Sequence, residues 1–195
     1  MNEPDATFWD ERYAAGRTPW DQPKPPQVFM DFLKRHGRAG RAFVPGCGSG
    51  YELCALHEAG WNTLGIDYSR AAVARAHKVL GPLAELVRYG DFFEQAPALS
   101  TFDLVYERTF LCALPLERRQ AYGRRMAELI APRGVLCGFF FFGPEDEPPP
   151  HPVRDDELRL ILENDFERTE NEAVPDSLPL FAGKERWQVW RRKPA

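Results

Sequence analysis

One stretch constrains the fold more than any other. An apolar run, Arg41 to Val44, breaks into the turn Pro45-Gly46-Cys47-Gly48-Ser49-Gly50, and a helical pattern of Leu53, Leu56 and Ala59 follows until Gly60 stops it. A second apolar run, Asn62 to Ile66, then ends in Asp67. Strand, glycine turn, helix, strand and acid in that order belong to a βαβ unit of a parallel sheet. Glycines in such a turn let the backbone pass close to a ligand. An acid about 20 residues further on, at the next strand end, can grip both hydroxyls of a ribose. Gly46, Gly48 and Asp67 are therefore candidate cofactor-binding residues.

The alternation continues along the chain. A short helix, Val28 to Arg35, precedes the first strand, and Ser69 or Asp67 can cap a helix from Arg70 to Leu80, which Gly81-Pro82 ends. A third strand is expected over Glu85 to Arg88 and a fourth over Asp103 to Tyr106. A helix follows from Pro115 to Ile130, closed by Pro132-Arg133-Gly134. Val135 to Phe142 is apolar throughout, as suits a strand buried on both faces. A helix from Asp155 to Asn164 and strands near Phe166 to Glu172 and Glu185 to Arg191 complete the pattern. The expected fold is α/β, a doubly wound, mostly parallel sheet, built by one domain over residues 1–195 with an N-terminal arm over 1–27.

Composition bounds the function. The 195 residues carry 25 Lys and Arg against 29 Asp and Glu, a net charge of −4, which weighs against nucleic acid as a partner because neutralising phosphates needs a basic face. No apolar run approaches the roughly 20 residues of a membrane span, and the first residues, Met1 to Asp5, lack a secretory signal. A cytoplasmic monomer with a small-molecule partner is expected. Cys47, Cys54, Cys112 and Cys137 form no CxxC pair and have no histidine at zinc-ligand spacing, so reduced thiols and no metal are expected.

The spacing also discriminates among nucleotides. A dinucleotide fingerprint wants its third glycine where this chain has Tyr51, whose side chain would crowd a pyrophosphate. That residue, and the lack of a proton relay, disfavour a nicotinamide oxidoreductase. S-adenosylmethionine has no phosphate and needs only close backbone approach. Asp91, followed by Phe92 and Phe93, suits an adenine, its carboxylate bonding the amino group beside an aromatic ring. The alternative is that Asp91 caps a turn and the phenylalanines are core.

The motifs Phe8-Trp9-Asp10, Thr18-Pro19-Trp20-Asp21, Val44-Pro45-Gly46-Cys47-Gly48-Ser49-Gly50, Gly65-Ile66-Asp67, Gly90-Asp91-Phe92 and Phe102-Asp103-Leu104-Val105 run through nearly the whole chain. On these the sequence resembles the thiopurine S-methyltransferase superfamily, and within it is most similar to the halide and thiol methyltransferases. The resemblance implies a Rossmann-like class I methyltransferase with an antiparallel C-terminal strand. It implies S-adenosyl-L-methionine as methyl donor, with S-adenosyl-L-homocysteine as product. It also implies three aromatics of the arm lying against the cofactor, at positions matching Trp9, Tyr13 and Trp20. The middle one is usually Trp in the family, so Tyr13 is a departure. Electron-rich ring faces attract a sulfonium cation and exclude water. The bland alternative is that Trp9 and Trp20 staple the arm to the domain.

In doubly wound sheets ligands sit beyond the carboxyl ends of the strands, which points to Glu107 and Arg108 at the end of the fourth strand as catalytic candidates. Arg108 would stabilise a bound thiolate, and Glu107 would either accept the thiol proton or pair with Arg108. Many plant-type halide and thiol methyltransferases carry Asp-Tyr at this position and thiopurine methyltransferases carry Asp-Arg, so Glu107-Arg108 counts against halide specificity. Methyl transfer to a thiol is the expected activity. A halide or a tellurium or selenium acceptor, or a non-catalytic S-adenosylmethionine-binding module, are its alternatives. Arg118, Arg119, Arg124 and Arg125, alternating with Glu117 and Glu128, read as a solvated helix face. Trp61, Trp187 and Trp190 read as packing residues, and the segments 143–152 and 176–181 as lids.

Overall fold

The structure, a computed structural model, describes residues 5–37, 39–94, 102–144 and 149–194. The chain forms two compact units, Met1–Ala96 and Pro97–Ala195. In the first, helices α1 (Ala6–Ala14) and α2 (Gln27–His36) precede strand β1 (Arg41–Pro45), α3 (Tyr51–Glu58), β2 (Asn62–Asp67), α4 (Arg70–Leu80) and β3 (Val87–Tyr89). β2 pairs parallel with β1, Val44 opposite Gly65, and with β3, Asp67 opposite Tyr89. The apolar spacing of α2 buries Phe29, Phe32 and Leu33, and that of α4 buries Ala72, Val73, Ala76 and Leu80. Ser69 caps α4 by accepting from the Ala72 N–H at 3.0 Å. His36 lies between the rings of Phe32 and Trp61, and Trp61 is buried as a packing residue.

The second unit contains β4 (Phe102–Arg108), α5 (Arg119–Leu129), β5 (Ile130–Phe141), α6 (Asp155–Leu162), β6 (Phe166–Ala173) and β7 (Glu185–Arg192). β4 and β5 are parallel, and β7 runs antiparallel to both β5 and β6. The strands run β3-β2-β1 in the first unit and β4-β5-β7-β6 in the second, the doubly wound, mostly parallel pattern with an antiparallel last strand that the sequence implied. Trp187 and Trp190 are fully buried, as are Tyr122, Met126 and Leu129 of α5 and Leu158 of α6. The two helices meet at Gly123, where a side chain would collide with the Ile161 carbonyl.

Several boundaries differ from the sequence expectation, each for a local reason. The arm is not featureless: α1 forms behind the Asp5 carboxylate, which accepts from the Phe8 N–H at 3.0 Å. None of its residues is fully buried, so it carries no core stripe to read. β3 begins at Val87 rather than Glu85 because a 3-10 helix over Gly81–Leu86 uses up the preceding residues. The helix expected from Pro115 opens as a separate 3-10 turn, Leu116–Arg118, before α5. β5 starts at Ile130, and its pairing jumps from Phe102–Ile130 to Leu104–Val135, so Pro132, Arg133 and Gly134 form a bulge inside the strand. Arg119 is buried rather than solvated. Its guanidinium donates to Glu157 at 2.7 Å and to the carbonyls of His151 and Pro152 at 3.0 and 2.9 Å, anchoring the end of the 143–152 loop. Residues 145–148 of that loop lie outside the described residues, as do residues 1–4 of the arm.

Candidate functional site

The turn after β1 carries left-handed backbone at Gly46 (φ 56°) and Gly48 (φ 52°), a conformation that side chains disfavour. At Gly48 space forbids one as well, because the Tyr13 hydroxyl stands where its Cβ would be. The Gly48 N–H donates to Asp67 Oδ2 at 3.0 Å and the Ser69 N–H donates to Oδ1 at 2.9 Å. The Tyr68 N–H donates to this carboxylate as well, so three backbone donors face two oxygens that offer about four acceptor sites. Burial pushes the Asp67 carboxyl up to about 6 against those three bonds, with Asp10 adding to the rise. A buried carboxylate with acceptor capacity left, beside a turn stripped of side chains, fits a ribose diol.

Above the turn, Trp9 and Tyr13 lie one helical turn apart on α1, and the chain returns to place Trp20 against both. Trp9 and Trp20 meet edge to face at 5.5 Å between centroids, Tyr13 and Trp20 at 6.3 Å. All three rings are half-buried, so each keeps part of its surface open. The three aromatics are therefore brought together, next to the glycine turn. The Trp9 indole donates to the Tyr68 hydroxyl, whose pKa burial pushes up to about 12. Burial likewise raises the Tyr13 phenol, with the charge of Asp67 adding to it.

Two carboxylates that the sequence reading left unassigned fasten this aromatic cluster. Asp10, next to Trp9, accepts from the Ser69 hydroxyl at 2.6 Å and the Ala71 N–H at 2.9 Å, binding α1 to the start of α4. Asp21, next to Trp20, accepts from the Ser49 hydroxyl at 2.5 Å and lies 3.2 Å from the Arg75 guanidinium. Each Trp-Asp pair thus supplies one ring to the cluster and one carboxylate to hold it. The repetition of Trp-Asp at 9–10 and 20–21 was the available signal. Tyr68 was signalled only by following Asp67.

Asp91 and Phe92 sit differently. The Asp91 carboxylate accepts from the Phe93 N–H at 2.7 Å, closing a turn. Phe92 is buried, stacked on Phe43 of β1 at 6.5 Å and 13°. The structure thus gives both residues the local roles that the sequence reading weighed as alternatives.

In the second unit, Glu107 and Arg108 are adjacent in β4, so their side chains leave opposite faces of the sheet. Glu107 is buried and saturated. It accepts from the Phe110 N–H at 3.0 Å, the Leu111 N–H at 3.1 Å and the Tyr122 hydroxyl at 3.0 Å. Burial nonetheless pushes its carboxyl up to about 7. The turn it holds contains Thr109 at φ 58°, a left-handed conformation costly for a β-branched residue. Gly138 on β5 makes room, since a side chain there would strike the Glu107 backbone.

Arg108 is half-buried, its guanidinium 4.9 Å over the Phe139 ring, its neighbour in register on β5. On the same sheet face Glu185 opens β7 opposite Phe141. Its carboxylate accepts from the Ser177 hydroxyl at 2.7 Å, and burial raises its pKa above the ordinary carboxylate value against that hydrogen bond and the charge of Arg108. Sequence reasoning missed Glu185, which only the strand pairing brings to Arg108.

Comparison with known proteins adds to this geometry. The model of the thiopurine S-methyltransferase family matches residues 4–193. The chain is 35% identical over 170 residues to probable thiol methyltransferase 2 of Arabidopsis thaliana, covering 83% of this chain and 74% of that protein. It is 29% identical over 191 residues to thiocyanate methyltransferase 1 of the same plant, covering 94% and 84%. To a thiopurine S-methyltransferase of Shewanella pealeana it is 31% identical over 165 residues, covering 74% and 75%. Among solved structures it shares its fold with the 1,6-didemethyltoxoflavin-N1-methyltransferase of Burkholderia thailandensis, bound to S-adenosylhomocysteine. The TM-score is 0.78 at 18% identity, covering 99% and 93% of the chains. Magnesium protoporphyrin IX methyltransferase of Synechocystis PCC 6803, with bound SAM, gives a TM-score of 0.75 at 17% identity and covers 99% of both chains.

Proposed function

The chain belongs to the thiopurine S-methyltransferase family and is an S-adenosylmethionine-dependent methyltransferase, and from that premise we propose that its acceptor is a small thiol. When bound, the cofactor supplies an electrophilic methyl group on a sulfonium sulfur, which the acceptor displaces in line. The first unit's residues are assigned to cofactor binding. Asp67 accepts from the ribose, Gly46 and Gly48 admit it, and the open faces of Trp9, Tyr13 and Trp20 attract the sulfonium and keep water away. The Asp91 carboxylate is assigned to the adenine amino group, with Phe92 buried next to it against Phe43. Residues 5–27 act as the lid, held by Asp10 and Asp21.

Arg108 is the observation that carries the acceptor. A guanidinium over a phenyl ring offers positive charge beside an apolar wall, a combination that suits a soft, polarisable anion. An ordinary thiol ionises near pH 8.5, and a fixed cation lowers that value toward neutrality, raising the fraction present as thiolate. Glu107, saturated by its turn, acts by holding the backbone that aims Arg108. This revises its expected role as proton acceptor or as partner of Arg108. Four unpaired thiols, three of them buried, fit a reducing compartment, so the cytoplasm is the proposed location.

No helix among the described residues is long and apolar enough to cross a membrane. The acceptor is tested by S-adenosylhomocysteine release across aliphatic thiols, a thiopurine, iodide, thiocyanate and selenite. Turnover should be highest with a thiol. Turnover with iodide or selenite alone would overturn the thiol assignment, and cofactor binding without any turnover would favour a binding module.

A further inference from the structure

A thiol that becomes a thiolate beside Arg108 must release a proton, and Glu107, the neighbouring acid, already accepts from the Phe110 and Leu111 N–H groups and the Tyr122 hydroxyl. A narrow cleft in the second unit supplies another acceptor. Phe139, whose ring carries the Arg108 guanidinium, lines this cleft together with Leu111, Cys112, His151 and Val153, and Glu107 closes it. Cys112 is a thiol whose ionisation burial suppresses. That leaves His151 as the lining group able to take a proton near neutral pH. It is half-buried, so a proton taken up there can leave to water.

The backbone around His151 is fastened more firmly than a connecting loop requires. Its N–H donates to the Cys112 carbonyl at 2.6 Å, and its carbonyl accepts from the Arg119 guanidinium at 3.0 Å. The same guanidinium holds the Pro152 carbonyl at 2.9 Å, and the Val153 N–H donates to the Phe141 carbonyl at 2.9 Å. Arg119 is only 3% exposed, and burying a guanidinium is costly unless its donors are met. All of these bonds run through the backbone of the loop, so none of them engages the imidazole. The charged and titratable groups around the ring are Arg119 on α5, Glu117 in the 3-10 turn before it, and Glu107 and Cys112 across the cleft. Glu157 on α6 pairs with Arg119 at 2.7 Å. Burial and the charge of Arg119 hold the imidazole below its ordinary 6.5 against the pull of Glu117, so at pH 7 it stands as the free base.

We propose that His151 is a catalytic residue, the proton acceptor for a thiol bound at the cleft wall that Arg108 and Phe139 form. The inference rests on the thiol reading of the same site. An imidazole nitrogen takes the proton as the S–H bond breaks, and the electron pair stays on the acceptor sulfur. That pair forms the new S–CH3 bond, while the pair of the methyl–sulfonium bond remains on the cofactor sulfur. The imidazolium then gives its proton to water. Arg108 and His151 thus have separate tasks: the guanidinium stabilises the thiolate, and the imidazole removes the proton that would otherwise quench it.

His151→Gln keeps a polar side chain and removes the base, and its effect is read as kcat/KM for two thiols. One is 2-mercaptoethanol, which arrives protonated at pH 7, and the other is 4-nitrothiophenol, which arrives ionised. With 2-mercaptoethanol the variant should lose about 100-fold at pH 7, the lower end of what a positioned general base contributes. With 4-nitrothiophenol the loss should be much smaller, because no proton remains to be taken. Raising the pH to 9 should restore most of the variant's loss with 2-mercaptoethanol, since an ordinary thiol ionises near pH 8.5 in solution. Wild-type turnover should change little between pH 7 and 9 and decline only as pH falls past 6.5 and His151 takes up a proton. S-adenosylhomocysteine affinity in calorimetry reports that the variant is folded. Equal losses with both thiols, at unchanged affinity, would overturn the proposal and make His151 a packing residue of the loop. An undiminished rate with 2-mercaptoethanol would overturn it as well. Both of those outcomes leave the thiol reading standing, whereas a wild-type protein that methylates neither thiol would overturn that reading and this inference with it.

Discussion

Asp67 and Glu107 look alike in the sequence and part company in the structure. Each is an acid at the carboxyl end of a parallel strand, each is buried, and in each burial lifts the carboxyl well above its ordinary range, to about 6 and about 7. They differ in where their donors lie. Asp67 accepts only backbone N–H groups, from Gly48 in the glycine turn and from Tyr68 and Ser69 directly after it. Glu107 accepts from two backbone N–H groups and a tyrosine hydroxyl, and all of these lie in its own turn and the helix behind it. A carboxylate with spare capacity at an open aromatic cluster is suited to a ligand. One whose donors are all internal is suited to hold a strained turn.

The largest effect should come from the saturated acid. Glu107→Ala strands the Phe110 and Leu111 N–H groups and the Tyr122 hydroxyl in a dry interior, and at about 1–3 kcal/mol for each unmet donor the fold should lose about 4 kcal/mol in urea unfolding. The pH profile sharpens the point. Because the folded Glu107 carboxyl sits near 7 against an ordinary 4.5, its contribution to stability is full below pH 4.5 and is lost as pH rises through 7. Asp67 adds a second decline, complete once pH passes its value of about 6. Glu107→Gln should abolish the first decline and keep the second, so its urea midpoint should gain on wild type between pH 5 and pH 8. Parallel profiles for the two proteins would remove burial as the cause.

The unsaturated acid should show the converse balance. Asp67→Ala removes two charged acceptors from the ribose, so S-adenosylhomocysteine affinity in calorimetry should fall about 100-fold, or about 2.7 kcal/mol. Three backbone donors are stranded here as well, so the urea midpoint should also fall, and the loss of affinity is what sets Asp67 apart. Affinity unchanged in a folded Asp67→Ala protein would remove Asp67 from the cofactor site and erase the contrast. Affinity in the wild type should also weaken below about pH 6, as the carboxyl protonates and can no longer accept from both hydroxyls.

How much of this was legible in the sequence follows from the range of the signal. The glycine turn, the helix after it and Asp67 are local and periodic, and the structure reproduces them nearly residue for residue. The aromatic cluster was legible only through resemblance, because Trp9 and Tyr13 share a helical spacing but Trp20 lies beyond α1 and no period links all three. α1 escaped because it buries nothing completely, and α5 was misplaced because a 3-10 turn mimics the start of a helix. Arg119 read as solvated because its partners, Glu157 and the carbonyls of 151 and 152, lie more than 30 residues away. Glu185 escaped for the same reason: nothing short of strand register connects it to Arg108.

The smallest effect concerns the fastening of the arm, and it separates a lid from a fixed wall. Asp21 is buried on its side-chain atoms, but Arg75 is 41% exposed, so the ion pair between them is screened by solvent and contributes at most about 1 kcal/mol. Asp21→Asn keeps the acceptor for the Ser49 hydroxyl and removes the charge opposite Arg75. If the arm opens and closes over the cofactor, the closed state loses only that contribution, and S-adenosylhomocysteine should bind about threefold more weakly, through faster dissociation in stopped-flow. Raising salt should weaken the wild type by a similar factor and leave Asp21→Asn nearly unaffected, because screening acts on the pair that the variant lacks. An equal salt response in both proteins would mean that the arm is held by its rings and by Asp10 alone. The region around Asp67 would then be as closed as that around Glu107, and spare acceptor capacity would no longer mark the difference between them.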